Sequence, residues 1–157
     1  MAVAGLTGDI FVSDGYGQSR IHRFSAGGAW ICSRVGPGSN PGEFDTPHGI
    51  QVDCRNRVLV ADRDNNRVQL FDVEGRFLDE WPAWSPADIY IDKDDYIFAG
   101  RSIFNLDGVE LVYSPEIRCH ALCGDSGGNL YWSMVQTKDE SGKSVVTASL
   151  MKKLIRI

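Results

Sequence analysis

"PHGIQVDCRNRVLVADRDNNRVQLFDVEGRFLDEW" (residues 47–81) holds four short apolar runs, 47–53, 56–62, 66–71 and 76–81, separated by turns of Asp, Asn, Arg and Gly. Within the runs apolar and polar residues alternate at period two, which sends successive side chains to opposite faces of a strand. No run is long enough for the 3.6-residue period of an amphipathic helix. The stretch therefore reads as four antiparallel strands joined by tight turns.

The same pattern recurs along the chain. "GDIFVSD" (8–14), "DDYIFAG" (94–100) and "GGNLYWSM" (127–134) match "NRVLVAD" (56–62). "PADIYID" (86–92) and "CHALCGD" (119–125) match "PHGIQVD" (47–53), and "SRIHRF" (19–24) matches "NRVQLF" (66–71). Units of about 40 residues with four strands each are the signature of β-propeller blades. The fold class expected is all-β: one partial propeller over residues 1–157, with blades of approximately 8–36, 47–81, 86–113 and 119–157. The first copy is expected to lack its innermost strand and the last its outer one, giving about three and a half to four blades. In "SVVTASLMKKLIRI" (144–157), Val146, Leu150 and Leu154 fit a helix by spacing, while the β-branched residues and the preceding blades favour strands. "RVGPGSNPGEF" (34–44) is expected to be an inter-blade crossing, because no helix pattern or Gly-Lys-Ser/Thr follows it.

Composition narrows the function. The 157 residues are 43% hydrophobic and carry a formal charge of −5, with arginines scattered among carboxylates. That distribution offers no basic field for a phosphate backbone, so nucleic acid is not an expected partner. No stretch approaches the roughly 18 apolar residues of a spanning helix, and the first residues lack the pattern of an export signal. No membrane association and a cytoplasmic location are the expectation. Cys32, Cys54, Cys119 and Cys123 lack metal-ligand spacing and are expected as reduced thiols. In a strand, Cys119 and Cys123 would stand about 13 Å apart at 3.3 Å per residue, too far to share one ion.

"FVSDGYGQSRIHRFSAGGAW" (11–30) followed by "PGEFDTPHGIQVDCRNRVLVADRDNNRVQLFDVEGRFLDEW" (41–81) resembles consecutive NHL repeats. More narrowly, it is similar to the C-terminal part of peptidyl-α-hydroxyglycine α-amidating lyase and its bacterial relatives. "PHGI" and "NRVQLF" are generic to NHL repeats. The succession of "SDGYGQSRI", "PHGI" and "VADRDNNR" is more specific to the lyases. The resemblance implies a six-bladed ring, of which this chain has strands for a part.

Candidate chemistry follows from position in the blade. His48 and His120 both stand just before an innermost strand, where a side chain faces the central channel, and the blade between them has Ala87 at that place. Alternate blades of a six-bladed ring lie 120° apart, so three such imidazoles could converge on one metal. His48 is either such a ligand or a turn residue of a generic repeat. The resemblance implies zinc, with His48 and His120 at two of three ligand positions and the third in blades outside this chain, so the site expected is incomplete. Tyr16 and Arg63 each follow the second strand of a blade and so share one mouth of the channel. The resemblance implies that Tyr16 takes the hydroxyl proton of the substrate and that Arg63 steadies substrate or glyoxylate charge. Without it, Tyr16 is a turn aromatic and Arg63 the surface partner of Asp62 or Asp64. Gly17 departs from the animal lyases, which carry a disulfide cysteine there. His22, alternating with Ile21 on an outer strand, is expected at the surface. Asp53, Asp92 and Asp125 are expected to cap turns.

Function is expected to be that of an NHL propeller segment related to the zinc-dependent lyases, weak or inactive alone; if active, a carbon–nitrogen lyase releasing glyoxylate and a peptide amide. The alternatives are a non-catalytic NHL module that binds a peptide or protein at the channel mouth, and a truncated product without evolved function. Unpaired edges at "GDIFVSD" and "KKLIRI" lead to the expectation of a homodimer or of pairing with a missing propeller half.

Overall fold

The computed structural model describes residues 1–34, 36–115, 117, 119–133, 137–138, 144–145 and 152–154. Among the described residues the alternating runs become four antiparallel sheets of three or four strands, each a blade, and a separate two-stranded hairpin makes a fifth. The first holds β1 (Ala2–Val3), β2 (Ile10–Asp14), β3 (Arg20–Phe24) and β4 (Trp30–Arg34), and the second β5 (Pro47–Val52), β6 (Val58–Asp62), β7 (Arg67–Phe71) and β8 (Phe77–Pro82). The third holds β9 (Ile89–Ile91), β10 (Ile97–Ala99), β11 (Ser102–Phe104) and β12 (Glu110–Tyr113). The fourth begins with β13 (Ala121–Gly124) and β14 (Leu130–Ser133), followed by a small hairpin of β15 (Thr137–Lys138) and β16 (Ser144–Val145). Its third strand is β17 (Lys152–Leu154), paired with β14.

One expectation is corrected and one is met in part. The first blade does have an inner strand: Ala2 and Val3 pair with Phe11 and Ile10, so the edge of "GDIFVSD" is covered over the first two residues of β2. Two residues are too few to display a period. In the C-terminal stretch, Ser144–Val145 and Lys152–Leu154 are strands; 146–151 and 155–157, on which the helical spacing also rests, lie outside the described residues.

The core lies between blades. One cluster packs Leu59, Ala61, Val68, Leu70 and Trp81 of the second blade against Ile89, Ile97, Ala99 and Phe104 of the third. The other packs Ala2, Phe11 and Ile21 of the first blade against Ile50, Val58, Val60 and Phe71 of the second, with Phe44 wedged in from the crossing. Polar ties reinforce the joins: Arg23 donates to the Val73 carbonyl at 2.8 Å and Arg57 to the Leu106 carbonyl at 2.7 Å.

The expected turn caps form. Asp53 accepts from the Arg57 amide, Asp92 from the Asp94 and Tyr96 amides, and Asp125 from the Gly127 and Asn129 amides, all at 2.8–3.0 Å. At Asp125 the Asn129 side chain and amide, together with Tyr131, pull the carboxyl down to about 2.

The crossing 36–45 is held by a buried polar network. Asp62, fully buried, accepts from Arg67 Nε at 2.8 Å, Gln69 Nε2 at 2.9 Å, Asn65 Nδ2 at 2.9 Å and the Asp45 amide at 2.7 Å. Arg67 also donates to the carbonyls of Asn40 and Glu43, and Gln69 to that of Glu43. The Glu43 carbonyl, which would otherwise be stranded against the second blade, is thereby paired.

Candidate functional site

His48 sits in a β-bulge. Pro47 pairs with Asp62 and Ile50 with Val60, so His48 and Gly49 together face the single residue Ala61. The expectation put His48 ahead of the strand; it lies within β5, and the extra residue re-aims its ring as bulges do. Thr46, at φ 55°, turns the chain into the bulge, and Ser13 Oγ donates to the His48 carbonyl at 2.7 Å. The imidazole Nδ1 is 2.6 Å from the Ala87 carbonyl. A carbonyl can only accept, so Nδ1 carries the hydrogen and Nε2 keeps its lone pair.

His120 precedes β13 as expected, its amide donating to the Ser133 carbonyl at 2.8 Å. Its ring meets that of His48 edge to face, with centroids 4.9 Å apart. Tyr16 lies on the other side of His48 at 5.7 Å, also edge to face. The turn carrying Tyr16 can approach because of Gly15, where a Cβ would stand 2.6 Å from the Pro47 carbonyl oxygen. Arg63 Nη1 donates to Tyr16 Oη at 3.0 Å while Nε and Nη2 engage Asp64 at 3.0 and 3.2 Å. All four residues singled out from the sequence are thus neighbours. The Asp62 alternative for Arg63 does not form, because Asp62 is held by Arg67.

The charges are ordered accordingly. Asp64 first, and then Tyr16, raise the Arg63 guanidinium above its ordinary value against the cost of burial. Arg63 in turn holds the Asp64 carboxyl below its own. Burial is the main cause that lowers the His48 pKa from 6.5; the Ala87 carbonyl opposes it, and His120 and Arg63 add to it. His48 is therefore a neutral imidazole at pH 7. In an NMR titration of the metal-free protein its ring is expected to titrate below 6.5. Because the folded value is the lower one, the stability this contributes is present above the unfolded value and is lost as pH falls through the folded one. A midpoint above 6.5 would contradict the arrangement.

The donor pair is compatible with a metal. Two imidazoles on one tetrahedral zinc at bonds of about 2.0–2.1 Å have centroids about 5 Å apart, against the 4.9 Å observed. Among the described residues no group of three or more His, Cys, Asp or Glu is placed to hold an ion, so His48 and His120 stand as a pair. The four cysteines are free, and burial pushes the Cys119 thiol up to about 11.

Other features escaped the sequence reading. His22 is half-buried rather than at the surface, with Nδ1 2.7 Å from Ser33 Oγ and Nε2 3.8 Å from Asp14. The part of Ala87 is played by its carbonyl, which residue type does not reveal.

Residues 44–71 match the NHL repeat model. The chain carries an NHL repeat within a propeller-like fold. It is 42% identical over 79 residues to peptidyl-glycine alpha-amidating monooxygenase of Mus musculus, covering 47% of this chain and 8% of that protein. It is 43% identical over 67 residues to the probable peptidyl-alpha-hydroxyglycine alpha-amidating lyase pgal-1 of Caenorhabditis elegans, covering 41% of this chain and 19% of that protein. The NHL segment is thus related to amidating-enzyme domains while spanning less than a fifth of either relative. A solved structure of streptogramin B lyase superposes with a TM-score of 0.64 at 17% identity, covering 98% of this chain and 53% of that one; the likeness is one of fold.

Proposed function

We propose that this NHL segment supplies one face of a zinc-dependent amidating-lyase centre, and that it is weak or inactive alone. The observation that carries the reading is the convergence of His48, His120, Tyr16 and Arg63 from three blades onto one cluster. His48 Nε2 and a ring nitrogen of His120 would hold the metal, with water or ligands from a second copy or a further propeller half completing it. When bound, zinc supplies Lewis acidity toward the substrate hydroxyl. Tyr16 Oη would relay the proton: its own hydrogen goes to the leaving nitrogen as the C–N bond breaks and it accepts the substrate hydroxyl hydrogen in exchange, giving a peptide amide and glyoxylate. Arg63, anchored by Asp64, holds the Tyr16 oxygen in place and supplies positive charge toward the carboxylate product.

Zinc titrated into metal-free protein is expected to give a calorimetric signal of micromolar affinity at best, since two protein ligands are fewer than the three of catalytic zinc sites. The double variant His48→Ala, His120→Ala should abolish it; an unchanged signal refutes the pair as ligands. Glyoxylate release from an α-hydroxyglycine peptide by the chain alone is expected to be negligible. Robust turnover lost in Tyr16→Phe would overturn the claim of inactivity and make the chain an enzyme in its own right.

A further inference from the structure

We infer that Asp88 is a positioning residue that sets the spacing of His48 and His120 from a blade that contributes no histidine. The third blade has Ala87 at the channel mouth, yet the dipeptide Ala87–Asp88 touches both flanking strands. The Ala87 carbonyl takes the His48 Nδ1 hydrogen at 2.6 Å. The next residue reaches the other way: Asp88 Oδ2 accepts the Leu122 amide at 2.9 Å, two positions beyond His120. Its second oxygen accepts the Ile89 amide at 2.9 Å, which fixes the carboxylate against its own strand. On the near side, Gly49 follows His48 and lies so close that a Cβ there would stand 2.7 Å from Asp88 Cα and 2.9 Å from the Ile89 nitrogen.

Strands β5, β9 and β13 therefore meet at one point, and each histidine is one or two residues from it. Truncating Asp88 leaves the Leu122 amide without this acceptor and frees the start of β13 to shift. The ring of His120 moves with that strand, while His48 stays tied to Ala87. Partners that orient a ligand in this way carry about 10–100-fold in metal affinity.

The test compares Asp88→Ala with Asp88→Asn in the full chain. Asparagine keeps one side-chain oxygen that can accept from Leu122 but replaces the acceptor of the Ile89 amide with an NH2 group, so it should rescue part of what alanine loses. In metal-free protein, exchange of the Leu122 amide should be about tenfold or more faster in the alanine variant and clearly less accelerated in the asparagine variant. The nuclear Overhauser effect between the His48 and His120 rings should weaken in the same order. Zinc affinity by calorimetry should fall about 10–100-fold in Asp88→Ala. Should the alanine variant unfold, Asp88→Leu, which keeps bulk without an acceptor, takes its place. Undiminished Leu122 protection and ring contact in the truncated variant would overturn the inference. The metal readout alone rests on the zinc reading: if no variant, nor the wild type, gives a zinc signal, that reading fails, and the two metal-free measurements still decide the role of Asp88.

Discussion

Arg67→Ala is expected to destabilise the chain by about 3–5 kcal/mol, the cost of breaking a buried pair on one side. Asp62 has no exposure and would lose its one charged partner with the guanidinium gone. Gln69, Asn65 and the Asp45 amide would still donate to it, but none brings a compensating charge. The same substitution removes one donor from each of the Asn40 and Glu43 carbonyls, which keep the Glu43 amide and Gln69 Nε2 respectively, and releases Glu80 Oε2, now 2.8 Å from Arg67 Nη1. Arg67→Lys should recover only part of the loss, because one ammonium cannot reproduce the fork that serves Asp62, Glu80 and two carbonyls together. Urea unfolding followed by tryptophan fluorescence measures both variants. A loss below about 1 kcal/mol, the level of a surface pair, would show that the network is not stabilising.

Phe44→Ala comes next in size, at about 3–5 kcal/mol. Phe44 belongs to no strand, yet it is fully buried, with its ring 5.6 Å from that of Phe71 and its neighbours Ile50, Val58 and Val60 in the join between the first two blades. Those neighbours are held in sheets and can close only part of the space left by the ring. Phe44→Leu should restore most of the stability, whereas a small effect from alanine would mean that the join collapses around the hole. Both substitutions loosen the crossing 36–45, so the double variant should lose less than the sum.

The crossing also marks where sequence reading stops. Alternation and turn residues made the blades legible, and position relative to the strands, together with the resemblance to the amidating lyases, brought out His48, His120, Tyr16 and Arg63 without any knowledge of contacts. The part of the Asp62 network was not legible, because "VADRDNNRVQLF" is satisfied by a plain strand–turn–strand. Only the path of a separate loop reveals that Asp62, Arg67 and Gln69 point at backbone rather than solvent. The bulge at His48 was hidden for a related reason. "PHGIQVD" alternates well enough to be read as regular, and the irregularity resides in the partner register. The Ala87 carbonyl and the inner strand Ala2–Val3 depend on tertiary proximity in the same way.

Every residue of β6 and β7 is buried, and their side chains feed both apolar clusters: Val58, Val60 and Phe71 toward the first blade, Leu59, Ala61, Val68 and Leu70 toward the third. The second blade is thus the keystone of the segment, and excursions short of global unfolding begin at its neighbours. His48 and Arg63 ride on the keystone, whereas Tyr16 and His120 belong to the flanking arms. The cluster therefore joins the most buried blade to less buried ones, and opening of the first or the fourth blade would separate its members while β6 and β7 stay packed.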